Sequence, residues 1–192
     1  MKLIFATNNQ HKVAELKAAL PQGMEVLSLK EAGITIDIPE PHNTLEENAV
    51  EKAQAIYHLT GSDCFSEDTG LEVAALNGAP GVRSARYAGE AASAEQNMEL
   101  LMHNLNGSTD RRARFRTVIC CIVNGQRHLF EGTCSGRITA GQSGAAGFGY
   151  DPVFMPEGAV KTFAEMTLPE KNSLSHRRKA LDKLVEFLNG LK

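Results

Sequence analysis

Cys64-Phe65-Ser66-Glu67-Asp68-Thr69-Gly70-Leu71 is the most informative run of the 192-residue chain. An apolar start runs into two adjacent carboxylates and then a glycine. Cys64 to Asp68 reads as a buried strand. Acids at a strand's carboxyl end face a crevice, where they can hold a divalent cation; the same residues also fit an Asx turn. Leu71 to Leu76 reads as a further strand. Toward the N-terminus, Lys2 to Thr7 forms a short strand and His11 to Leu20 a helix, with Val13, Leu16 and Leu20 on one face. Met24 to Leu29 is another strand. A loop with Pro39-Glu40-Pro41 leads to Thr44-Leu45-Glu46-Glu47, a capping-box pattern that opens a helix to about Thr60, with Leu45, Ala49, Ala53 and Ile56 at helical spacing. Toward the C-terminus, Asn77 to Gly89 is loop-like. Ser93-Ala94-Glu95-Gln96 opens a helix to about Asn106. Arg114 to Val123 and Gln126 to Arg137 form a hairpin that turns at Asn124-Gly125. Thr139 to Gly149 is glycine-rich, and Ser175 to Leu191 is an amphipathic helix with Leu181, Leu184, Leu188 and Leu191 inward. Helices and strands mix without a strict βαβ repeat, which implies one α/β or α+β unit around a mixed sheet.

Composition narrows the function classes. Hydrophobic residues make up 42% and charged residues 22%, ordinary globular usage that excludes a wholly disordered chain. The net charge of −3 argues against a general binder of nucleic acid or anionic membranes. No window approaches the roughly 18 consecutive apolar residues of a membrane helix. The apolar run from Met1 to Ala6 is too short for a signal peptide, so a soluble cytoplasmic protein is expected. The four cysteines show no C-x-x-C spacing and read as buried free thiols rather than zinc ligands. The length favours a single domain over residues 1–192, or one core in two lobes.

Four more clusters can carry chemistry. Thr7-Asn8-Asn9-Gln10-His11-Lys12 lies between the first strand and the first helix, where free N–H groups and a positive helix end favour phosphate. The run equally fits an N-cap beside a solvated lysine; no Walker loop is present. Asn48 and Lys52 are four apart and share a helix face. Glu40 either completes a metal site with Asp68 or is an exposed loop acid. In Gly147-Phe148-Gly149-Tyr150-Asp151-Pro152 the glycines let backbone approach a ligand, while the aromatics either form a stacking surface or turn into the core. Lys171 to Lys179 carries cations at a helix start, against the macrodipole, which reads either as a site for an anionic ligand or as a solvated basic face.

In this order, the segments resemble the inosine triphosphate pyrophosphatase family. The likeness spans nearly the whole chain. It rests on Phe5-Ala6-Thr7-Asn8-Asn9, Glu67-Asp68-Thr69-Gly70-Leu71, the run Pro80 to Tyr87, Gly147 to Pro152, and Ser175-His176-Arg177. Bacterial members often have Asp-Asp-Ser-Gly where this chain has Glu67-Asp68-Thr69-Gly70; charge and hydroxyl are kept, while metal geometry can shift. The resemblance implies an elongated α/β fold: a mixed central sheet flanked by helices, two lobes, and the active site in the cleft between them. It implies a homodimer and Mg²⁺-dependent hydrolysis of ITP, dITP and XTP to the monophosphate and pyrophosphate. Asp68 is then the catalytic residue and, with Glu40, a metal ligand, and Glu67 is a further candidate. Nucleotide contacts are implied for Thr7, Asn8, Asn9, Lys12, Lys52, Thr69, Phe148, Gly149, Tyr150, Asp151, Lys171, His176 and Arg177. Donors on His176 and Arg177 aimed at a 6-oxo group would accept hypoxanthine and xanthine and reject adenine. The alternatives are a Maf-like pyrophosphatase of different base preference and a non-catalytic nucleotide-binding protein. Ser175-His176-Arg177 argues against the first and the presence of Asp68 against the second.

Overall fold

The computed structural model describes residues 2–20 and 23–191. In chain order the elements are β1 (Lys2–Phe5), α1 (Gln10–Ala19), β2 (Glu25–Ser28), α2 (Leu45–Thr60), β3 (Cys64–Val73), β4 (Pro80–Gly81), α3 (Ala94–Asn104), β5 (Arg112–Val123), β6 (Gln126–Ile138), β7 (Phe154–Pro156), α4 (Leu168–Leu174) and α5 (His176–Asn189). The strands form a mixed seven-stranded sheet in the order β2-β1-β3-β5-β6-β7, with β4 beside β3. β1 runs parallel to β2 and to β3, with Phe5 opposite Ser28 and Phe65. β4 and β7 pair antiparallel to β3 and β6. This is the mixed α/β sheet the sequence predicts. No helix among the described residues is long and apolar enough to cross a membrane.

Packing divides the chain into two compact units: Met1–Asp68, Thr117–Gly132 and Arg177–Lys192 in the first, Thr69–Arg116 and Thr133–His176 in the second. The core of the first unit joins Leu3 and Phe5 of β1, Leu16 of α1, Phe65 of β3, and Leu181, Leu184 and Leu188 of α5. Phe5 and Phe65 stack with centroids 4.6 Å apart. In the second unit Leu71 and Val73 pack with Met98, Leu101, Phe115, Phe154 and Phe163.

Local signals explain most boundaries. Thr44 caps α2 by accepting from the Glu47 N–H, and Ser93 with Gln96 forms a complete capping box on α3. Asn124 and Gly125 take φ of 51° and 77°, the left-handed pair that a tight two-residue hairpin needs. Three expectations are corrected. Gly70 does not end a strand: β3 continues through it to Val73, because β4 lies against it and leaves no room for a side chain. A Cβ at Gly70 would meet the Gly81 carbonyl oxygen at 2.5 Å. The basic run from Lys171 does not open the last helix. Lys171 belongs to a separate helix, α4, capped by Thr167 and Glu170, and Ser175 in extended conformation breaks the chain before α5. Leu191 lies beyond α5 and is exposed rather than inward.

Candidate active site

Helix α2 builds the centre around Asp68. Asn48 and Lys52, one turn apart, are both buried on the face that carries Ala49, Ala53 and Ile56. Asn48 Nδ2 donates to Asp68 Oδ2 at 3.3 Å. The same side chain exchanges hydrogen bonds with the backbone N–H and C=O of His42, which pins the loop bearing Glu40. Lys52 Nζ lies 3.5 Å from Asp68 Oδ1 and makes a close ion pair with Glu40. Glu40, Lys52 and Asp68 thus converge. Burial pushes the Asp68 carboxyl above the ordinary carboxylate range and Glu40 adds to this, against the pull of Lys52, Lys12 and Asn48.

In the loop before α1 the helix-cap alternative is realised. Asn9 is the helix cap, its Oδ1 accepting from the N–H groups of His11 at 3.0 Å and Lys12 at 3.2 Å. Thr7 Oγ1 accepts from the Asn9 N–H, and Asn8 Nδ2 donates to the Ile36 carbonyl. The chain therefore uses several of the donors expected to meet phosphate, and Asn9 acts as a cap. Lys12 supplies the charge. Burial lowers its pKa, and Glu67, whose Oε1 is 3.3 Å from Nζ, works in the opposite direction.

Glu67 and Arg177 meet in an ion-pair network that the sequence does not suggest. Arg177 is buried, and its Nε and Nη2 grip the Glu67 carboxylate at 2.8–3.0 Å, while Nη1 pairs with Glu15. Burial opposes the charge on Arg177, but Glu67 and Glu15 outweigh it and raise its pKa. Three guanidinium nitrogens thus pair with carboxylates, and Arg177 joins Glu67 to Glu15. Glu15 was not expected from the sequence. Its one local signal is an acid on the buried side of α1, four residues before Ala19.

Phe148, Asp151 and Lys171 come together in the second unit. Lys171 Nζ is 2.6 Å from Asp151 Oδ2, and lies 5.0 Å from the centroid of the half-buried Phe148 ring. Asp151 also accepts from the Phe148 N–H at 2.9 Å, closing a turn in which Gly147 and Gly149 have positive φ. The expected pair of stacking aromatics reduces to Phe148. Tyr150 is core, its hydroxyl donating to the Ser84 carbonyl at 2.8 Å. His176 is likewise buried, with its ring stacked on Phe115 at 4.7 Å. Thr69 is partly buried directly after Asp68. A groove of about 790 Å³ in the same unit, lined by residues such as Glu72, Arg112, Arg137 and Met155, contains none of the expected site residues.

Fold and site together define a mixed α/β protein whose buried, basic-shifted carboxylate is flanked by lysines. The chain belongs to the Ham1 family, whose model matches residues 3–187. It is 49% identical to the dITP/XTP pyrophosphatase of Flavobacterium psychrophilum over 190 residues, covering 99% of this chain and all of that protein. The dITP/XTP pyrophosphatase of Flavobacterium johnsoniae is 47% identical, with full coverage of both. Among solved structures, the Staphylococcus aureus Ham1 protein aligns with a TM-score of 0.89 at 41% identity over all of both chains. A HAM1 protein from Coxiella burnetii aligns with a TM-score of 0.90 at 34% identity over 99% of each.

Proposed function

We propose that this chain hydrolyses the non-standard purine nucleoside triphosphates ITP, dITP and XTP to the monophosphate and pyrophosphate, with Mg²⁺, as a cytoplasmic homodimer. The observation that carries the reading is Asp68, a buried carboxylate with raised pKa held by Asn48 and Lys52. The two Flavobacterium relatives, both dITP/XTP pyrophosphatases, support it. Asp68 accepts the proton of the water that attacks the α-phosphorus; its raised pKa makes it a better base than an exposed carboxylate. Lys12 and Lys52 offset the phosphate charge, and displacement at phosphorus is mostly positioning and charge neutralisation.

Glu40 and Asp68 fit a divalent cation, because their carboxylates already converge on one ammonium. Mg²⁺ needs only one or two carboxylates alongside phosphate oxygens. When bound, it supplies charge neutralisation at those oxygens. Phe148 offers a ring face to the purine. Lys171, fixed by Asp151, presents a donor suited to a 6-oxo group, where adenine would bring an amino donor of its own. Incubation with ITP, XTP, ATP and GTP in the presence of Mg²⁺ tests the reading. IMP and XMP should appear with pyrophosphate, and ATP should turn over far more slowly. Orthophosphate with a diphosphate product would overturn the attack at the α-phosphorus.

A further inference from the structure

The Lys52 ammonium occupies the position in which the two carboxylates offered to a metal converge. Its side chain is 8% exposed, beside Asp68 at 6% and Glu40 at 26%. The contacts are unequal: a close ion pair with Glu40, and a 3.5 Å approach to Asp68 Oδ1, long for a hydrogen bond. Asp68 Oδ2 faces Asn48 instead. Nearby Arg177 shows the contrast. Its planar fork is fixed by two carboxylates, whereas Lys52 is a point charge on a flexible four-carbon stem that can swing away without dismantling a bidentate pair.

We propose that Lys52 is a built-in cation that fills the Glu40–Asp68 position, and that a divalent metal enters only as the ammonium leaves. The inference rests on the cation reading above. Two carboxylates cannot hold an ammonium and a divalent cation at one point without strong like-charge repulsion. The displaced ammonium is then free to meet an anionic ligand. Any anion that draws Lys52 away therefore raises metal affinity, and by linkage the metal raises affinity for that anion. In the absence of ligand, Lys52 keeps the two acids paired.

Mn²⁺ alone is the probe, with binding followed by electron paramagnetic resonance on nucleotide-free protein. Lys52→Met should bind Mn²⁺ at least about tenfold more tightly than the unmodified protein, a modest part of the effect of removing one nearby charge at an effective dielectric near 20. Equal or weaker binding by Lys52→Met, with Asp68→Asn abolishing it, would overturn the displacement and leave the cation reading standing. Undiminished binding by Asp68→Asn would instead place the metal elsewhere and overturn that reading. A second measurement needs no Lys52 variant. Acetic anhydride labelling of the unmodified protein, read at Lys52 by mass spectrometry, should rise several-fold at saturating Mn²⁺; unchanged labelling would overturn the displacement even if Lys52→Met fails to fold.

Discussion

At the scale of single residues, Asp68 and Arg177 are both buried charged groups, and their contacts separate them. Asp68 has a raised pKa, with the Lys52 ammonium 3.5 Å from Oδ1 and the Asn48 amide donating to Oδ2 at 3.3 Å. A buried carboxylate shifted in this way is a candidate for chemistry. Asp68→Asn should therefore cut kcat for ITP by at least about 10²-fold, the low end for a general base, with a smaller change in KM. Near-normal kcat in a folded variant would exclude the role. Arg177 is instead held between two carboxylates, Glu67 and Glu15. Removing one partner of a buried pair leaves uncompensated charge and costs about 3–5 kcal/mol. Arg177→Met should lose stability on this scale in urea unfolding, and its remaining activity toward ITP and ATP should fall by similar factors. A selective loss of ITP activity in a stable variant would restore Arg177 as a reader of the base. Asp68 could be picked out as a candidate because its signal is local, two acids directly after an apolar run. The role of Arg177 could not. Its partners Glu67 and Glu15 lie 110 and 162 residues away in sequence, and no spacing rule links them.

Secondary-structure elements were readable wherever a boundary had its own side-chain chemistry. Thr44, Ser93 and the Asn124-Gly125 turn each mark an end by satisfying backbone groups or adopting positive φ. The separate helix α4 carried the same kind of mark, a Thr167–Glu170 capping box with Pro169 in its first turn, but the basic run that follows reads as continuous with α5. Gly70 misled for a different reason. Glycine usually marks a break in a strand, yet here it permits close approach of a neighbouring backbone. That approach depends on β4, whose pairing of Gly81 with Leu71 no local pattern reveals. Gly70→Ala tests the account. The new methyl would meet a backbone carbonyl rather than a flexible side chain, so the strands must shift. We expect a loss of about 1–3 kcal/mol, the usual cost of overpacking, measured as a lowered urea midpoint with unchanged slope. Unchanged stability would mean that β4 does not hold this position in solution.

At the scale of the molecule, the cysteines report on how the two units come apart. All four thiols are free and buried. Cys64, Cys120 and Cys121 belong to the first unit and Cys134 to the second. Burial pushes Cys64 up to about 12 and Cys120 up to about 11, with Cys121 raised as well. The thiolate is the reactive form, so folded protein at pH 8 should resist thiol reagents. The sign for stability follows from the same shifts. A raised thiol favours the neutral form in the fold, so its contribution is complete below the unfolded value near 9 and fades only as pH rises through 11 to 12. Labelling at pH 8 therefore reports opening rather than titration. β3, β5 and β6 each continue without interruption from residues of one unit to residues of the other. We expect Cys134 and the three cysteines of the first unit to become reactive at one urea midpoint, read cysteine by cysteine by mass spectrometry. Two separated midpoints would show that the units unfold independently in spite of the shared strands.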